Sequence, residues 1–137
     1  MNACKLAQQY GPLVGRVLLA NIFLVSGFKK IVGFAATAGY MTSKGLPMAD
    51  ALLVATIIIE LGGGLMLLAG WQARCAATAL VLWMIPVTYV FHAYWGLPAD
   101  QVPMQFIQFQ KNLAIMGGLL LAIAYGPGPY SLGKDKC

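Results

Sequence analysis

Glu60 stands in the middle of an apolar run, Ala51 to Leu68, that holds no other charge. Lys111 stands beside Asn112 in a second such run, Phe106 to Leu119, and His92 closes a third, one turn after Thr88. A charge set in hydrocarbon costs at least a few kcal/mol, so each should face a protein interior and have a partner or a use there. A carboxylate, an imidazole and an ammonium around an apolar slot offer a proton donor, a hydrogen bond to a carbonyl and a counter-charge. Those are the needs of a quinone or a similar small lipophilic ligand. The plainer reading is that Glu60 and a lysine neutralise each other and fix the register of two helices, as buried polar pairs can. Both readings place Glu60 inside, within reach of a basic group, with Lys111 the expected partner.

Other residues enter the candidate site with weaker claims. Lys29 and Lys30 close the first apolar segment as snorkelling anchors, and one of them can turn inward; Lys29 is included on that ground. Trp95, beside Tyr94 and close to His92, is a candidate pocket wall, whereas Trp71 and Trp83 read as belt or packing residues. Pro86 should bend its helix and help open an apolar cavity, walled by Trp95, Met84 or Phe106 and floored by Glu60. Gly62-Gly63-Gly64 has no phosphate-loop context and reads as close helix packing.

Several chemistries find no support in the sequence. There is no haem ligation pair, no flavin or nicotinamide fingerprint and no catalytic Cys/His set, so no catalytic residue is assigned. Cys4, Cys75 and Cys137 have no C-x-x-C spacing and give no disulfide framework, thioredoxin motif or zinc ribbon. One histidine and four scattered acids make no metal site. No intrinsic cofactor is expected, a quinone being the exception the constellation leaves open.

These side chains must be positioned by membrane helices. Hydrophobic residues make up 60% of the 137 residues, against roughly 45–50% in soluble domains. Mean hydropathy is +0.76. Four hydrophobic segments, near residues 13–28, 49–69, 75–95 and 104–125, approach the roughly 20 residues a bilayer-spanning helix needs. The sequence predicts an all-α, single-domain, integral membrane four-helix bundle. Residues 31–44 carry apolar positions at helical spacing but are too short and polar to span. They predict an interfacial or re-entrant helix between the first two spans, stopped by Gly45 and Pro47.

The formal charge of +5 suggests no nucleic acid, because the basic residues form no patch and lie at segment ends instead. Lys5, Arg16, Arg74, Lys134 and Lys136 fall on one side, against Lys29, Lys30 and Lys44 on the other. That bias predicts both termini in the cytoplasm. Since side chains lean toward a helix's N-terminus, lysine, glutamate and histidine should then converge in the outer half of the bundle.

The ordered motifs are similar to those of a known family. Gly15-Arg16, Ser26-Gly27-Phe28-Lys29-Lys30, Glu60-Leu61-Gly62-Gly63-Gly64, Gly70-Trp71-Gln72-Ala73-Arg74, Phe91-His92, Lys111-Asn112-Leu113-Ala114, Gly117-Gly118 and Gly126-Pro127-Gly128-Pro129-Tyr130-Ser131-Leu132 resemble the DoxX family over nearly the whole chain. The resemblance implies a small four-helix protein of the bacterial inner membrane. It also implies a redox association, through relatives that form the membrane part of thiosulfate:quinone oxidoreductase or join thiol-stress assemblies. A redox partner protein or a homo-oligomer follows as an expectation, beside contact with the bilayer. A non-enzymatic scaffold with purely structural charges is the alternative. A self-contained transporter is disfavoured by the lack of internal repeats.

Overall fold

The computed structural model describes residues 2–133 and is all-helical among them. The elements are α1 (Ala3–Val32), α2 (Phe34–Ser43), α3 (Ala49–Ala69), α4 (Ala73–His92) and α5 (Val102–Tyr125). By length and composition α1, α3, α4 and α5 can each cross a membrane. Residues 134–137, which hold the predicted basic tail, lie outside the described residues.

The spans differ from the sequence expectation mainly at their ends. α1 is longer than 13–28 in both directions. Asn2 caps it by accepting a hydrogen bond from the Lys5 backbone N–H at 3.1 Å, and Pro12 is carried inside the helix. Lys29 and Lys30 sit in its last turn rather than beyond it. The predicted third span stops at His92, not Trp95, because Ala93 turns to an extended conformation (φ −61°, ψ 122°). Tyr94 and Trp95 then stack edge-on against Phe109, and Tyr94 also meets Phe106. α5 starts two residues earlier than expected, with Pro103 in its first turn, where a missing N–H is harmless.

Only Gly33 separates α1 from α2. Its N–H closes α1 on the Lys29 carbonyl, and its own carbonyl accepts from Thr37 in α2, both at 2.9 Å. Gly33 thus ends one helix and starts the next with both of its backbone groups paired. α2 packs Ala38 and Met41 onto Ala49 and Leu53 at the start of α3.

The main core joins the four long helices through Ala20, Phe23, Leu67, Ala77, Leu80 and Leu119. Two glycines set the approach of α1 to α3. A Cβ on Gly27 would lie 2.7 Å from Leu61 Cγ, and one on Gly64 would lie 3.0 Å from a Leu24 methyl. Gly63 turns the other way, toward Leu80 of α4. Gly63 and Gly64 thus let α3 approach two neighbours at once, as small residues do between membrane helices.

At the opposite end from Glu60, buried Arg16 donates to the carbonyls of Leu67 and Leu68, the last turn of α3, and to that of Tyr130 in the tail. Gly70 ends α3 with φ +70°, and a side chain there would run into the guanidinium. Cys4 is an exposed free thiol, while Cys137 lies outside the described residues.

Candidate functional site

The partner of Glu60 is Lys30, not Lys111. Lys30 Nζ lies 2.9 Å from Glu60 Oε2 and 3.1 Å from Oε1, and donates to Ser26 Oγ at 2.6 Å. The helix geometry explains the choice. Ser26 and Lys30 share one face of α1 one turn apart, and Gly27 between them lets α1 close on α3. The ammonium leans back along α1 while the carboxylate leans toward the start of α3, so the two meet across antiparallel helices. Glu60 is almost fully buried, and the Lys30 side chain keeps a quarter of its surface exposed.

Two cavities meet at this pair. The larger, about 410 Å³, lies between α1, α2, α3 and α4 and is lined largely by apolar side chains, among them Tyr40, Met41, Leu52, Pro86, Val90 and Phe91. Its polar edge is Lys30, Glu60, Thr56 and His92. The smaller, about 150 Å³, reaches toward α5 and is lined by Ser26, Lys111 and Asn112 together with the same Lys30, Glu60 and His92. Lys30, Glu60, Trp83, Val87 and His92 are common to both. The larger volume falls within the usual range for small-molecule sites.

The sequence-predicted residues divide clearly. Glu60 and His92 border both cavities. His92 Nδ1 pairs with Gln105 Oε1 at 3.1 Å, which ties the end of α4 to the first turn of α5. Lys111 borders the smaller cavity only; it is exposed, and its ammonium donates to Gln108 on its own helix. Lys29 points outward, exposed, one position round the helix from the residue that turned inward. Trp95 is about half exposed and belongs to the aromatic group at the α4–α5 end, so it walls neither cavity. Of the other expected walls, Met84 borders the smaller cavity and Phe106 neither.

Three residues outside the predicted set prove central. Trp83, read as packing, lines both cavities, and its buried indole N–H has no hydrogen-bond partner among the described residues. Its position less than one turn before Pro86 was the available signal. Asn112 takes the inward position on α5 that was expected of Lys111 and donates to Thr88 at 3.0 Å. Ser26 steadies the Lys30 ammonium. Among the described residues no group of His, Cys, Asp or Glu could hold a metal.

Comparison with known proteins places this architecture. The DoxX family model matches residues 11–93, which contain Lys30, Glu60, Trp83 and His92. The inner membrane protein YqjF of Escherichia coli K12 is 34% identical over 130 residues, covering 95% of both chains. The inner membrane protein YphA of the same organism is 31% identical over 122 residues, covering 89% of this chain and 87% of that one. A Surfeit locus protein 4 homolog of Schizosaccharomyces pombe is 28% identical over 129 residues, which is 93% of this chain but 38% of that protein. No solved structure matches. With four spans, a family model covering more than half its length and bacterial relatives aligned almost end to end, the chain belongs to the DoxX family and is an integral inner-membrane protein.

Proposed function

We propose that this protein is a redox-associated membrane subunit that binds a quinone-class ligand in the larger cavity, its ring against the Glu60–Lys30–His92 edge. The observation that carries the reading is the placement of an ion pair and an imidazole at one end of an otherwise apolar, 410 Å³ space inside a membrane bundle. A quinone needs an apolar slot for its ring and tail and polar groups at its oxygens. Packing alone would be served by apolar side chains at this level, and functional sites are where membrane proteins retain ionisable groups. The electron donor or acceptor belongs to a partner protein in this reading, since the chain has no redox motif of its own.

The experiment is a titration of the full chain in lipid nanodiscs with decylubiquinone. Saturable binding of about one molecule per chain is expected, weakened by Glu60→Gln and by His92→Ala while both variants stay monodisperse. A second reading, the structural scaffold, is favoured by one observation: Lys30 already satisfies both Glu60 oxygens and Ser26, as a self-sufficient register lock would. Absence of saturable binding by the folded protein selects that reading.

A further inference from the structure

The Lys30 ammonium is spent on Glu60 and Ser26, so the donor side of the polar edge is closed, while the Glu60 oxygens keep lone pairs. Both Glu60 oxygens and the Lys30 ammonium are engaged with each other and with Ser26. Thr56 and Thr37, the other hydroxyls on the larger cavity besides Tyr40, donate to the carbonyls of Leu52 and Gly33 on their own helices. Beside the spare lone pairs of Glu60, one donor and one ring nitrogen remain unused in the shared wall.

The donor is the Trp83 indole N–H, buried without a partner among the described residues. Leaving such a group unmatched forfeits its hydration with nothing in return, so a buried orphan donor calls for a matching acceptor. The ring nitrogen is Nε2 of His92. Its other nitrogen, Nδ1, faces the Gln105 side-chain oxygen at 3.1 Å. With the Gln105 oxygen as neighbour, the tautomer that makes this bond has the proton on Nδ1 and, in the neutral ring, a lone pair on Nε2. The tautomer is thus set from outside the cavity by a residue of α5. One wall therefore offers a hydrogen bond and asks for one.

We propose that the site selects the reduced form of its ligand: a quinol, giving a hydroxyl hydrogen to His92 Nε2 and taking the Trp83 N–H on an oxygen. A quinone has only acceptor oxygens and satisfies Trp83 but not His92. A quinol oxygen accepts as well as donates, and so satisfies both. Gln105 acts as a positioning residue, because it touches no ligand and works through the imidazole. This rests on the quinone-class reading above and adds the redox state that is bound.

The test compares decylubiquinone with decylubiquinol under anaerobic conditions, using the full chain in nanodiscs with Trp71→Phe and Trp95→Phe so that fluorescence quenching reports Trp83 alone. The quinol is expected to bind at least about fivefold more tightly. Trp83→Phe, followed by equilibrium binding, should weaken both forms by a similar factor. His92 is the sole histidine, so a ¹⁵N-histidine spectrum of the unsubstituted protein reads its tautomer directly. A protonated Nδ1 and a bare Nε2 are expected, and Gln105→Leu should lower the quinol preference toward one. Quinone binding as tightly as quinol, or an Nε2–H tautomer in the unsubstituted protein, overturns the inference and leaves the quinone-class site standing. Binding of neither form removes both.

Discussion

Lys30 and Glu60 join the last turn of α1 to the middle of α3 through one ammonium and both oxygens of one carboxylate. Glu60 is the twelfth residue of α3, about 16 Å from its start at ~1.5 Å per residue, so this is a bond between membrane-depth segments and not a surface contact. Breaking such a pair strands a charge, whereas removing both partners strands none. Glu60→Gln and Lys30→Met should each cost about 3 kcal/mol, and the double substitution much less. Thermal stability of the four proteins in one detergent checks this; equal losses in all three variants would mean that the pair carries no coupling.

Lys111 gives the contrasting expectation. It is exposed and bonded within α5, so Lys111→Met should change stability by no more than about 0.5 kcal/mol. Asn112→Ala, one residue on, removes the bond to Thr88 and should cost about 0.6–1.7 kcal/mol, the range for side-chain bonds between membrane helices. The same melting series ranks the two, and a larger loss at Lys111 would contradict the placement.

The difference between those neighbours marks what could be read from sequence. Successive residues on a helix point about 100° apart, and hydropathy locates a span far better than it fixes its rotation. The α3 span, Ala49–Ala69, coincides with the predicted 49–69, because a long apolar run closed by Gly70 leaves little choice. Rotation was legible where glycines marked a face, as on α3, whose Glu60 is buried as expected. On α5 Lys111 was the expected inward residue, yet buried Asn112 and Leu119 define the inner face. Lys30 rather than Lys29 turned inward for the same reason, and Trp83 rather than Trp95 reached the cavity because α4 ends sooner than its hydropathy suggests.

Gly27→Ala should separate α1 from α3. Its new Cβ would stand 2.7 Å from Leu61 Cγ, closer than carbon atoms tolerate. Overpacking of this kind costs about 1–3 kcal/mol, and Leu61→Ala in the same chain should recover part of it. Failure of the second substitution to help would place the glycine's role elsewhere.

Arg16→Lys tests the far end of the bundle. A guanidinium serves carbonyls of both α3 and the tail from one rigid fork, which an ammonium cannot reproduce. A loss of about 1.5–3 kcal/mol is expected, as for one hydrogen bond to a charged group. Limited proteolysis should also cut the tail after Tyr125 sooner; an unchanged digestion pattern would detach Arg16 from the tail.

Both termini are expected in the cytoplasm on the distribution of lysine and arginine. Cys4, exposed and free near the start of α1, can report it through a membrane-impermeant maleimide. Labelling only after the membrane is breached agrees with the expectation. Labelling of intact spheroplasts would put this end outside.

The larger cavity borders Pro86, which is exposed inside the α4 span rather than at its end. A ligand that enters there is dissolved in the bilayer and reaches the protein by two-dimensional diffusion. Its effective concentration is then its mole fraction among the lipids, and the aqueous concentration scarcely enters. An affinity measured in molar units would shift with the lipid-to-protein ratio of the sample, while the occupancy at a fixed mole fraction would not.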